Sequence, residues 1–217
     1  MDVIDVAKWF IKNDYDEPRN TIDGNMKLQK LLYFSQLVHL AKYGDKLFDE
    51  PINAFVNGSV VEKVRLKYRD DHRQFVQESK SFEDDLDETI QYTLSVVKDV
   101  FGDVDARELS NLNHLHVGWK EALEKSEISK GKYYKPLSII SYDTIMEHDI
   151  ESIKKVLDAH ESTIDSGKTF ELINGVKFYY DPEEISFDDD LLEQLASFQG
   201  EESAYIVHMD EDGLVFY

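Results

Sequence analysis

The sequence predicts an α+β protein. Its main part is an α-helical bundle of six or seven helices, and a small C-terminal subdomain follows as β-hairpin, helix and β-hairpin. Two observations carry this. Apolar residues recur at helical spacing through the first 160 residues, with Gly44, Gly102 and the 131–136 stretch as breaks. After His160 the pattern turns to β-branched and aromatic runs around Asn174-Gly175, the strongest short hairpin signal.

Val3, Val6, Ala7, Phe10 and Ile11 form one stripe of a first short helix. Beyond a polar loop with Pro18, a helix is expected over 25–43, stopped by Gly44. Its middle is apolar on every side, which belongs at the centre of a fold, and Gln29, Lys30, Ser35 and Gln36 are its few polar positions. Residues 51–58 read as extended and 59–69 as helix, with further helices at 82–101, 105–114 and 141–160. Asp103 or Asp105 is a natural cap for the fifth of these. The polar run 161–167 reads as a linker between a helical domain, 1–160, and an α+β subdomain, 168–217. In that subdomain, 168–180 reads as a hairpin, 188–198 as a helix, and 204–209 and 214–217 as strands.

Hydrophobic content of 41% and aromatic content of 12% indicate a folded chain. No apolar run suits a membrane span and the N-terminus lacks the pattern of a signal peptide, so a cytoplasmic protein is expected. The absence of cysteine removes disulfides and thiolate chemistry. Charge is unevenly spread: 45 acids face 24 bases overall, but from Glu161 onward 15 acids face only Lys168 and Lys177. Such a field repels nucleic-acid backbones and attracts basic proteins.

Four motifs follow one another in order. They are Leu28-Gln29-Lys30-Leu31-Leu32-Tyr33-Phe34, then Leu47-Phe48-Asp49-Glu50, then Ala54-Phe55-Val56-Asn57-Gly58-Ser59-Val60-Val61, then Glu108-Leu109-Ser110-Asn111-Leu112-Asn113-His114 with Trp119. Their order and spacing resemble the Panacea domain, the SocA-like, phage-associated antitoxin family, over residues 1–125 and on towards 160. Phe55 and Gly58-Ser59-Val60 stand where that family usually carries Trp and Gly-Pro-Val. The resemblance implies an antitoxin without catalytic activity or cofactor, neutralising a cognate, translation-inhibiting toxin by direct binding. A relative that hands its toxin to a protease adds an adaptor role as an alternative. The resemblance makes Leu28, Gln29, Lys30, Leu31, Tyr33, Phe34, Gly58, His114 and Trp119 signature residues with structural roles. The other alternative is a phage or mobile-element protein that binds a host factor through an acidic, nucleic-acid-like surface.

The residues themselves offer little chemistry. His114 and His116 stand two apart, a spacing metals use, yet no further His or carboxylate lies at ligand spacing from them. A packing or capping role is therefore expected. Runs such as Asp84-Asp85-Leu86-Asp87-Glu88 complement the positive end of a helix. The one locally basic stretch holds Lys63, Arg65, Lys67, Arg69 and Arg73. Between 181 and 202 nine acids are interleaved with Phe187, Leu191, Leu192, Leu195 and Phe198, without one base. Acid around apolar anchors suits the cover of a basic cleft, while the alternative is that these apolar side chains pack on the hairpin as the subdomain's own core and the acids face water. Asp188, Asp189, Asp190, Phe198, Glu201 and Glu202 are accordingly the expected contacts for a basic toxin.

Overall fold

A computed structural model describes residues 1–83, 85–165, 169–174, 176–186, 189–198, 204–210 and 213–216. The chain divides into two compact units, Met1–Leu157 and Asp158–Tyr217.

The first unit is built around one helix. α1 (Val3–Lys12) starts at Asp2, whose side chain accepts from the Ile4 amide. α2 (Ile22–Tyr43) is capped by Thr21 and ends at Gly44 in the left-handed region, with φ +77°. It begins three residues earlier than expected, because Thr21 rather than Asn25 supplies the cap. Around α2 pack α1, α5 (Glu88–Phe101) and α6 (Ala106–Leu115). Leu31 and Tyr33 are fully buried, and Phe34 stacks on Phe101 with ring centroids 4.3 Å apart. Asp87 caps α5, which therefore starts six residues later than the expected 82, and Asp105 caps α6.

Three departures from the expected elements have physical reasons. Residues 59–61 are strand: β1 (Ile52–Phe55) and β2 (Gly58–Val61) form an antiparallel hairpin, and α3 (Glu62–Asp70) starts only afterwards. The helical spacing of Val60, Val61 and Val64 is real, but long-range hydrogen bonds to β2 override it. α4 (His72–Lys80) and α7 (Val117–Ser126) were not anticipated, since each buries few apolar side chains, Phe75 in one and Trp119 with Ala122 in the other. β3 (Glu127–Ser129) and β4 (Lys132–Tyr133) then pair as an exposed hairpin around Gly131.

After a 3-10 turn (Lys135–Leu137), α8 (Tyr142–Thr144) leads through a π-turn (Ile145–Asp149) into α9 (Ile150–Asp165). The expected linker therefore begins as helix: residues 161–165 continue α9. Ser162 and Thr163 return their hydroxyls to the carbonyls of Asp158 and Ala159, so their polarity does not stop the helix. Residues 166–168 lie outside the described residues.

In the second unit, β5 (Thr169–Ile173) pairs antiparallel with β6 (Val176–Tyr180), with Asn174 at φ +53° in the turn. α10 (Asp189–Ser197) crosses over to β7 (Ala204–Asp210), which runs parallel to β6, and β8 (Gly213–Phe216) pairs antiparallel with β7. The sheet order is β5-β6-β7-β8. Its core holds Phe178, Tyr180, Ile185, Leu195 and Val207. Among the described residues no helix is long and apolar enough to cross a membrane.

Candidate functional site

The polar side chains in the middle of α2, Gln29, Lys30, Ser35 and Gln36, are buried, and they bond backbone rather than facing solvent. The hairpin β1–β2 shows why. A two-stranded hairpin is marginal alone, and its buried amides and carbonyls need partners. On the β1 side, Ala54 N donates to Ser138 O at 2.7 Å and Ile140 N to Ile52 O at 2.9 Å. On the β2 side, side chains do this work. Gln29 Oε1 accepts from Val61 N at 2.8 Å, Lys30 Nζ donates to Ser59 O at 3.0 Å, and Asn113 Oδ1 accepts from Ser59 N. At the turn, Ser110 Oγ donates to Asn57 O at 2.9 Å and Trp119 Nε1 to Phe55 O at 3.0 Å. Two turns further along α2, the Gln36 amide brackets Phe48, accepting from its N and donating to its O.

Gly58 stands where the clamp is tightest. Its φ of +100° is the left-handed position that closes the hairpin. A Cβ there would lie 2.5 Å from both Lys30 Cε and Asn113 Oδ1. Lys30 is 1% exposed, and burial pushes its ammonium down to about 7. Among the described residues no carboxylate pairs with it. Burial likewise raises Tyr33 well above the ordinary tyrosine range, with Asp149 adding to the effect, and lowers His116. The Tyr33 hydroxyl and His116 Nδ1 are hydrogen-bonded at 2.7 Å.

The two histidines are occupied separately. His114 stacks on Trp119 with ring centroids 4.1 Å apart, whereas His116 meets Tyr33. The backbone turns between α6 and α7 at His116, so the pair does not share a side as an extended segment would allow. Asp149, delivered by the π-turn, caps α7 from outside by accepting from Val117 N at 2.7 Å and Gly118 N at 2.9 Å.

Above the clamp lies a groove of about 720 Å³, bounded by the start of α2, the hairpin, α3 and the 133–138 stretch. Ile22, 83% exposed, and Val56, 56% exposed, stand at its mouth. Among the described residues its charged lining consists of Lys30, Arg65, Arg69 and Lys135, with no acid. Behind the rim, Glu62 takes Arg65 at 2.6 Å and Lys135 at 2.8 Å, and these bonds hold its carboxyl down to about 2, Arg65 contributing most. Arg69 pairs with Asp70 at 2.6 Å. The other members of the basic stretch turn elsewhere, Lys63 to Asp2 and Glu50, Lys67 to Glu78.

Every signature motif thus meets at this hairpin or two turns of α2 from it. Residues 28–120 match the family model described as antitoxin SocA-like, Panacea domain. Over that span the chain is similar to the Panacea domain. No curated protein and no solved structure showed significant similarity to the chain. The matched span begins at Leu28 and ends just past Trp119, so it covers the clamp from Gln29 to Trp119. Within this Panacea-like span Gln29, Lys30, Gly58 and Trp119 hold the hairpin, Leu28, Leu31, Tyr33 and Phe34 fill the core, and His114 supports Trp119.

The expected partner contacts lie in the other unit. Asp188, Glu201 and Glu202 fall outside the described residues, and Asp189 and Asp190 open α10. Phe198, named both as a partner anchor and as a member of the subdomain's own core, packs within the unit. It stacks on Phe216 at 4.2 Å and meets Tyr205 edge-on at 4.9 Å, because so small a unit needs its aromatics for its own core. Sequence reasoning passed over Asn113, Ser110 and Asp149, which hydrogen-bond across the fold, and Ile22 and Lys135 at the groove. A lysine within an apolar helix was the one signal that pointed there.

Proposed function

We propose that the chain is an antitoxin that neutralises a cognate, translation-inhibiting toxin by direct binding. The observation that carries this is the Panacea match over residues 28–120. Consistent with a binding protein, the signature side chains are taken up in holding backbone or filling the core, and His114 and His116 have separate packing partners. The acidic second unit favours a basic toxin, through Asp188, Asp189, Asp190, Glu201 and Glu202, because opposite charge steers encounter.

The test is expression of the reading frame that flanks this gene, with and without the chain. Growth arrest by the neighbour alone, relieved by co-expression and accompanied by a purified complex, is the expected result. A neighbour without toxicity, or relief without a complex, overturns direct neutralisation. With the toxin in hand, reversing Asp188, Asp189 and Asp190 to Lys should slow association, most strongly at low salt.

A further inference from the structure

The groove of the Panacea-like span has a charge sense opposite to that of the chain. Against a net charge of −21, its charged lining is Lys30, Arg65, Arg69 and Lys135 alone. Its walls are apolar: Ile22, Met26, Val56 and Tyr133 line it, with Phe55 beneath the Arg65 guanidinium at 5.8 Å from the ring centroid. A side chain as apolar as Ile22 left 83% exposed at a helix start gains nothing for the isolated fold. Arg69 is held by Asp70 in an exposed pair, which is worth little and can admit a further carboxylate at small cost, and Lys135 stays half exposed beside its bond to Glu62. Among the described residues Lys30 has only the Ser59 carbonyl as its bonded acceptor, so its charge is incompletely compensated.

We propose that this groove binds an apolar peptide segment flanked by Asp or Glu, supplied by the toxin. This rests on the antitoxin reading and deepens it, giving the neutralising complex a second contact of opposite polarity to the acidic unit. Apolar side chains of the segment cover Ile22, Val56 and Tyr133, and its carboxylates meet Arg65, Arg69 and Lys135. The groove is open enough for an extended chain. It presents no glycine-rich phosphate loop, which separates it from a nucleotide site.

The test needs no toxin. A displayed library of random dodecapeptides is selected against the full chain, with the Arg69→Glu/Lys135→Glu variant as the competitor that removes other binders. Both substituted residues are exposed rim positions, and an unchanged melting temperature verifies the fold. Selected peptides should combine aromatic or aliphatic residues with Asp or Glu. A synthesised winner should bind the full chain at least about tenfold more tightly than the rim variant, equivalent to ~1.4 kcal/mol. Ile22→Asp, an exposed change, should weaken it comparably. Failure to enrich any sequence, enrichment of basic sequences, or equal binding to both variants overturns the proposal. Displacement of the winner by millimolar AMP or inorganic phosphate overturns it too, in favour of a small phosphorylated ligand. Neutralisation in co-expression is read independently, so a chain that neutralises but selects no peptide loses the groove and keeps the antitoxin function.

Discussion

Lys30 carries the most consequential single charge in the molecule. Its folded pKa of about 7 lies far below the ~10.4 of an exposed lysine. Between those values the unfolded chain binds more protons than the folded one, so Lys30 makes stability rise with pH across that window; at and below neutrality its full desolvation cost is present. Nearby, His114 is lowered and Tyr33 raised, so both stay neutral throughout. Lys30→Met removes the cost, and urea titrations should show wild type gaining on this variant as pH climbs from about 7 to about 10. A constant difference would mean that Lys30 is not buried as a cation. Gly58→Ala should cost more than the ~1–3 kcal/mol of left-handed strain alone, because its Cβ also meets Lys30 and Asn113. A melting temperature within a degree of wild type would contradict the clamp.

Among the elements, α2 and α7 are stabilised in opposite ways. α2 is secured by burial, so Leu31→Ala should cost ~2–5 kcal/mol through the cavity it leaves. α7 starts without a cap of its own and borrows Asp149 from the π-turn. Asp149→Ala should therefore cost ~1–2 kcal/mol, with faster amide hydrogen exchange at Val117 and Gly118 than elsewhere in the unit. The contrast marks what was legible in the sequence. α1, the end of α2 at Gly44, the caps Asp87 and Asp105 and the turn at Asn174 are local signals, written within a few residues of where they act. β2 is not local: Gln29, Lys30 and Asn113 hold it from 29 to 54 positions away, and no window around Ser59 contains them. The same distance hid the groove, whose walls come from four separate segments. The parallel pairing of β6 with β7 was invisible for that reason too, since periodicity specifies strands but not partners.

For the whole molecule, a net charge of −21 is a standing repulsion. Salt screens it over ~8 Å at physiological strength, so the melting temperature should rise between low salt and 0.15 M NaCl. A melting temperature that falls over this range would place attraction, not repulsion, in control. The same charge makes the basic lining of the groove locally conspicuous, and it would hold a soluble acidic ligand away unless apolar contact compensates.

The clamp around the hairpin sets the form such contact can take. Side chains of Gln29, Lys30 and Asn113 occupy the outer edge of β2, while Ser138 and Ile140 occupy that of β1. Neither edge offers the free backbone row on which strand addition depends. A segment in the groove is therefore read by its side chains and not by its amides. Backbone N-methylation should leave its affinity nearly intact, whereas replacing its apolar residues by serine should abolish binding. A ligand scaffold that dispenses with peptide N–H groups altogether can thus serve this surface, and protease-resistant peptoids become rational probes of the groove.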